Sequence, residues 1–285
     1  MELKQVLGRR RTIRFFLPFR PVERAKIQKM LEAARRSSCV GNVNSPRGII
    51  IWKEQASPEL IKAITPPLGY QQMQTASCFI LWYHDKSAYE IEKWIKDLHN
   101  LADTRRIGTD AEETKADIER LLRPIFGASW QQMAVSPLAF MDLGLAVCQA
   151  LLTAYDEGLG VCLMSGPRLE QVANLLKLPE TAIPVCLMAV GYPAESWEAG
   201  GQTVKAPFDT LFHEMEYGKA FKQDPAVVDE MKAAGMIHPE APLPWRDAEL
   251  KYLEQALGLE RTIIAFPAPA AAAAAATDGN PQDGG

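Results

Sequence analysis

The sequence predicts an α+β domain in which many helices surround few strands. Three observations carry that expectation. Short runs rich in β-branched and aromatic residues occur at 48–53 (GIIIWK), 77–84 (SCFILWYH) and 184–190. Segments with helical apolar spacing outnumber them. One stretch, 130–157, is apolar for most of its length and reads as a single long, buried helix. Few strands without a regular strand–helix alternation suit an α+β layer better than a doubly wound one.

The elements follow in order. Residues 22–36 carry Ile27, Met30, Leu31 and Ala34 at helical spacing, with Pro21 near the start. Ser57-Pro58 has the chemistry of an N-cap followed by proline at the first helical position. Two amphipathic helices are expected at 87–100 and 110–122, the second announced by a capping box of Thr109 and Glu112. The long apolar helix should stop at Gly158 and Gly160, followed by a helix near 169–176. Beyond Glu198 the texture is more polar. Shorter helices are expected at 208–221, 226–234 and 246–257, with a last strand at 262–266. Residues 267–285, an alanine tract running into polar residues and glycine, read as a disordered tail.

Composition bounds the function. With 285 residues and 47% hydrophobic content, the chain can bury one large core with extensions. A net charge of −4 argues against a general nucleic-acid binder. The five cysteines are scattered, and none falls in a C-x-x-C pair, so no zinc site or disulfide framework is suggested. A reducing, cytoplasmic compartment is the economical reading. Arg9-Arg10-Arg11 ahead of Phe15-Phe16-Leu17 has the look of a twin-arginine signal, but Pro18 and Arg20 cut its apolar run short. The other membrane candidate, 134–155, contains Asp142, Gln149 and Ser136-Pro137, which favour a core helix. There is no G-x-G-x-x-G after a strand and no Walker lysine motif, so neither a Rossmann dehydrogenase nor a P-loop nucleotidase is expected. His84, His99, His213 and His238 show no nucleophile or metal-ligand pattern.

Two segments carry candidate chemistry. Residues 8–16 (GRRRTIRFF) gather Arg9, Arg10, Arg11 and Arg14 beside the hydroxyl of Thr12. Guanidinium forks pair bidentately with phosphate and stay charged, although a solvated charge run has the same pattern. Residues 37–47 (SSCVGNVNSPR) place Asn42 and Asn44 in a loop ahead of a strand. Asparagine donates and accepts at once, which suits the edge of a flavin or pterin ring; Asx-turn chemistry would explain the same residues.

Taken in order, these segments resemble the nitroreductase family, with its RRS-I-R-x-F start and PSAGN-x-QPW loop. Later stretches agree: 157–167 (EGLGVCLMSGP), the LPETAIP and VGYPAE of 178–195, and Lys205 two places before Pro207. The match covers roughly residues 6–214. There are departures: Thr12 for serine, Ser38 for the loop proline, Cys39 for the serine after it, Asn44 for glutamine, Pro46 for tryptophan, Leu163 where tryptophan is common, and Thr203 at a position basic in some relatives. The substrate-facing loop is therefore atypical, and nitroaromatic substrates should not be assumed.

The resemblance implies a nitroreductase-like fold, with a mainly antiparallel central sheet surrounded by helices and a long interface helix. It also implies a homodimer holding FMN between its subunits. Arg10, Arg11 and Thr12 would hold the phosphate and ribityl end, with Lys205 closing the site. Arg14 would join the phosphate or pair with an acid. Asn42 would meet the isoalloxazine edge, with Ser38, Cys39 and Asn44 completing the loop's contribution. The backbone at Met164, Ser165 and Gly166 would lie along the ring. NADH or NADPH would reduce flavin N5, and an oxidised small molecule would then take the electrons; no catalytic side chain is demanded. The alternatives are a flavin-dependent dehydrogenase or dehalogenase for one metabolite, or a flavin-binding protein without turnover. On this reading 1–216 form the flavin domain, 217–266 a helical extension and 267–285 the tail.

Overall fold

The computed structural model describes residues 2–65, 71–165 and 168–259. The expected strand at 262–266, the tail at 267–285 and Gly166 lie outside them. The described chain carries a four-stranded antiparallel sheet in the order β1-β2-β4-β3, formed by Pro46–Trp52 (β1), Cys78–Asp85 (β2), Gly160–Met164 (β3) and Ala182–Gly191 (β4).

Both faces of the sheet are covered, which is why its strands read as near-continuous apolar runs. Side chains alternate across a strand. Ile80 and Trp82 of β2, with Met188 and Val190 of β4, therefore join one core. That core is closed by Arg24–Ala34 (α2), through Ile27 and Met30, and by Pro137–Asp156 (α8), through Leu143 and Val147. Phe79 and Leu81, with Leu187 and Ala189, join the opposite core. It is closed by Pro58–Ile64 (α3) and Leu169–Leu175 (α9), through Leu60, Ile64 and Val172. A third, aromatic cluster sits around Ile91–Asp103 (α5), where Trp94 stacks on Phe126 with centroids 4.1 Å apart and planes 6° from parallel.

Several expectations are corrected. The apolar stretch 130–157 is two helices: Arg123–Met133 (α7) ends, and α8 begins anew at Pro137 with Ser136 as its N-cap. Proline suits the first helical turn and cannot continue a preceding helix, so Ser136-Pro137 divides the run. The helix Ala111–Asp117 (α6) is capped by Asp110, whose side chain accepts from Glu113 N at 2.9 Å, and not by Thr109. Strand β3 lies within 157–167, where three glycines and a cysteine hide a five-residue strand. Of 208–221, only Phe208–Leu211 (α10) is helical; the chain then turns back, with His213 bridging Ala220. Pro225–Ala233 (α11) and Arg246–Ala256 (α12) match expectation within a residue or two. Two short helices, Leu3–Arg9 (α1) and Gln71–Thr75 (α4), carry too few turns for a periodic signal.

Among the described residues α8 alone is long and apolar enough to cross a membrane by length and composition. One of its faces is buried in the sheet core. The other exposes Met141 (54%) and Leu145 (40%), with Gly144 and Cys148 between and beyond them.

Candidate functional site

The arginine segment leaves α1 in an extended conformation. Thr12 bridges Val161 of β3, and Ile13 N donates to Val161 O at 3.1 Å. An extended chain alternates its side chains, and the burial follows. Arg11, Ile13 and Phe15 are buried, whereas Arg10, Thr12 and Arg14 are half-exposed on the other side. Three of the four arginines of the sequence motif are thus sorted. Arg10, Thr12 and Arg14 share one face.

Arg11 belongs to the other. Its guanidinium donates from Nε to Gly201 O at 3.1 Å and from Nη1 to Gly8 O at 2.5 Å, tying the end of α1 to the turn after β4. Burial, then the neighbouring Arg10 charge, lower its pKa. Arg10 is lowered by burial too. Among the described residues no carboxylate pairs with the side chain of Arg10 or Arg14. Arg14 does meet an acid through its backbone: Glu195 Oε1 accepts from Arg14 N at 2.5 Å and Phe15 N at 3.0 Å.

Because Thr12 pairs with β3, the arginine face lies beside the strand that ends at Met164. Ser165 follows directly. Met164 Sδ receives Gln72 Nε2 at 2.9 Å, and Gln72 is buried with Oε1 lacking a hydrogen-bond partner among the described residues. An orphaned buried amide oxygen is costly unless something else meets it. Sequence reasoning missed Gln72; its only signal was the adjacent pair Gln71-Gln72 in a helix too short to show a face.

The asparagine loop forms a second group. Val40–Asn42 makes one 3₁₀ turn, with Gly41 at φ +51° and Asn42 at φ +59°. Asn44 Nδ2 donates to Asn42 O at 2.8 Å. Val40 N donates to Asp142 Oδ2 at 3.0 Å, so the loop is anchored to α8. Asp142 is buried, and burial raises its pKa against the opposing influence of Val40 and His84. Cys39 lies half-buried with its thiol pKa pushed up, first by burial and then by Asp142 and Asp97; Ser38 is exposed. Cys39 and Asn44 line a cleft of about 400 Å³ between α2, β1 and Ala146 of α8. No hydrogen bond joins this group to the arginine face among the described residues. Lys205 is exposed in the chain that follows β4.

Comparison with known proteins identifies the family. The family model described as "Nitroreductase family" matches residues 7–192. An NADPH-dependent oxidoreductase of Staphylococcus aureus (strain USA300) is 37% identical over 79 residues, which are 27% of this chain and 31% of that protein. The chain thus spans about a third of the length of the curated relatives it matches. A nitroreductase-like protein from Streptococcus mutans superposes with a TM-score of 0.60 at 20% identity, over 74% of this chain and 97% of its own. A protein of Exiguobacterium sibiricum 255-15, solved in complex with FMN, gives 0.57 at 21%, over 75% and 97%. NfrA1 of B. megaterium gives 0.52 at 20% but reaches over 90% of this chain and 86% of its own. The family match takes in well over half of the 285 residues, including the arginine face, the asparagine loop and all four strands, and the chain belongs to the nitroreductase family.

Proposed function

We propose that this chain is an FMN-dependent oxidoreductase that moves electrons from NADH or NADPH to an oxidised small molecule and works as a homodimer. The observation that carries the reading is the face formed by Arg10, Thr12 and Arg14. Two half-buried guanidiniums stand there beside a hydroxyl, and among the described residues no carboxylate pairs them. Partly desolvated cations without a counterion are unfavourable, and a phosphomonoester meets both the charge and the fork geometry. The FMN found with the E. sibiricum protein carries such a group.

In this reading Arg10, Thr12 and Arg14 hold the phosphate end, and Lys205 closes over it. Arg11 fixes the segment by binding the carbonyls of Gly8 and Gly201. Glu195 sets the backbone of Arg14 and Phe15. Asn42 presents its amide to the ring edge from a loop held by Asp142, with Ser38, Cys39 and Asn44 around it. The segment Met164, Ser165 and Gly166 is assigned to the ring, and the orphan Oε1 of Gln72, whose Nε2 donates to Met164 Sδ, is a further acceptor. Among the described residues no hydrogen bond joins the loop and arginine groups, which suits a site completed by two copies. When bound, FMN supplies the two-electron redox chemistry. The protein's part is binding, orientation and exclusion of water, so no catalytic acid or base is assigned. The donor follows the S. aureus relative's name most simply as NADPH.

The absorbance spectrum of the purified protein, followed by steady-state NADPH and NADH oxidation with a quinone and a nitroaromatic, tests the proposal. Flavin bands and acceptor-dependent turnover are expected. A colourless protein that FMN does not reconstitute would overturn it.

A further inference from the structure

We propose that the pocket between the end of α1, the end of α8 and the C-terminal segment is a binding site for a small aromatic carboxylate, separate from the arginine face that faces β3. The pocket has a volume of about 330 Å³ and is lined by Arg9, Arg11, Tyr155, Trp197, Glu198 and His238. The alternation along residues 10–14 turns Arg11 away from Arg10, Thr12 and Arg14, so the two cationic surfaces lie on opposite sides of one extended segment.

The walls are prearranged. Two of Arg11's nitrogens are held by the Gly201 and Gly8 carbonyls, which fixes the plane of its fork. Tyr155 and Trp197 meet edge to face, with centroids 5.1 Å apart and planes at 86°. His238 is seated through Nε2, which lies 2.8 Å from Gly235 O, and through its backbone N–H, which donates to Gln202 Oε1 at 3.0 Å. Gln202 Nε2 also donates to Met236 O at 3.2 Å. The floor is tight: a Cβ on Gly8 would sit 2.2 Å from Gly235 O, so only glycine admits this approach of α1 to the C-terminal segment. A prearranged wall lowers the ordering cost of binding.

The charges select the ligand. Arg9, in the last turn of α1, is exposed and has no carboxylate partner among the described residues. Arg9 and Arg11 contribute two positive charges and Glu198 one negative, so these three side chains sum to +1. A carboxylate balances that charge and accepts a guanidinium fork bidentately. A phosphate dianion would leave an excess negative charge beside Glu198. The two aromatic walls favour a planar ring, packed on Trp197 with its charged end toward Arg9. Space for one ring and one carboxylate is consistent with the pocket's volume.

Benzoate is the probe, with benzamide as its uncharged counterpart and inorganic phosphate as the competing anion. Each is titrated into the purified protein by calorimetry and tryptophan fluorescence. Benzoate is expected to bind roughly tenfold or more tighter than benzamide, with phosphate weaker than benzoate. Arg9→Ala and Arg9→Met should each lower benzoate affinity by roughly tenfold or more and leave benzamide unchanged. Trp197→Phe should abolish the fluorescence response while heat of binding remains. Arg9 is exposed, so both variants should melt as the parent does. The proposal is overturned if benzoate does not bind, if benzamide or phosphate matches it, or if either Arg9 variant binds benzoate as tightly as the parent.

Discussion

Arg246 of α12 reaches back to Glu195, with Nη2 2.7 Å from Oε2 and side chains only 13% and 0% exposed. The other oxygen of the same carboxylate takes the N–H groups of Arg14 and Phe15. A C-terminal helix is thereby wired to the backbone of the proposed phosphate segment through one acid. Glu249, three residues on, strengthens the junction: its Oε1 accepts from Ser196 N and its Oε2 pairs with Arg246 Nη1, both at 2.6 Å.

Arg246→Ala should destabilise the protein by about 3 kcal/mol, because it strands a buried carboxylate that keeps only two backbone donors. Urea unfolding measures this, and Arg246→Lys should restore part of the loss. Truncation before Tyr217 removes Arg246 and Glu249 together and should cost at least as much, with weaker flavin retention. A truncated protein as stable as the full chain would show that the junction contributes nothing.

Arg10 and Arg11 should separate in their effects. Arg10→Ala should lower flavin affinity by roughly ten- to a hundredfold, the loss of one charge-assisted phosphate contact, with little change in stability. Arg11→Ala should cost about 1–3 kcal/mol of stability, since the buried carbonyls of Gly8 and Gly201 lose their donor. Equilibrium dialysis of FMN and chemical denaturation, run on both variants, read the two quantities independently. Equal losses of affinity at unchanged stability would contradict the sorting by alternation.

That sorting marks where sequence reasoning stopped. The motif GRRRTIRFF was legible as a phosphate-type cluster, but the side each arginine faces depends on Thr12 pairing with Val161, a contact between residues far apart in the chain. The strands β1, β2 and β4 were legible because burial on both faces leaves long apolar runs. Strand β3 was not, since its glycine is demanded by Ile13, whose side chain would lie 2.7 Å from a Cβ at Gly160. Asp142 was legible only as a charge unsuited to a membrane span; its role as the anchor of Val40 required the loop to fold onto α8. Glu195 sat inside a recognised motif, yet nothing local announced Arg246 as its partner.

His84 predicts a pH dependence. It is fully buried on β2, with Nε2 2.6 Å from Ala134 O and Nδ1 without a partner among the described residues. Burial, the largest influence, lowers its pKa below the ordinary 6.5. The folded state then binds this proton less readily than the unfolded chain. Its contribution is fully present above about 6.5 and is lost as pH falls toward the lowered folded value. Unfolding free energy should therefore drop between about pH 7 and 5, and His84→Gln should flatten that slope while leaving an amide donor for Ala134. A parallel slope in the variant would assign the acid lability elsewhere.

The exposed face of α8 predicts the assembly. Met141 and Leu145 lie one turn apart, with Gly144 leaving open space beside them, so a second copy can approach closely. Light scattering should give twice the 31.6 kDa chain mass. Met141→Asp with Leu145→Asp should yield a folded monomer with weakened flavin binding, because the proposed function divides the flavin site between two copies. A parent protein of one chain mass that retains flavin would refute this.

Asn42 allows backbone and side-chain roles to be separated at the proposed ring edge. It follows Gly41, and both hold positive φ, a conformation that costs other residues about 1–2 kcal/mol. Gly41 has no latitude: a Cβ there would sit 2.5 Å from Trp94 Nε1, and Trp94 is buried and stacked on Phe126. Gly41→Ala should therefore lower stability by more than the conformational term alone and displace the loop. Asn42→Gly keeps the left-handed backbone and removes only the amide, whereas Asn42→Ala removes the amide and adds strain. If the amide meets the flavin, both Asn42 variants should weaken FMN binding and shift the visible spectrum, while only Asn42→Ala lowers the melting temperature appreciably. Parent-like FMN affinity in Asn42→Gly would reduce Asn42 to a turn former and leave the ring edge to Asn44 or Gln72.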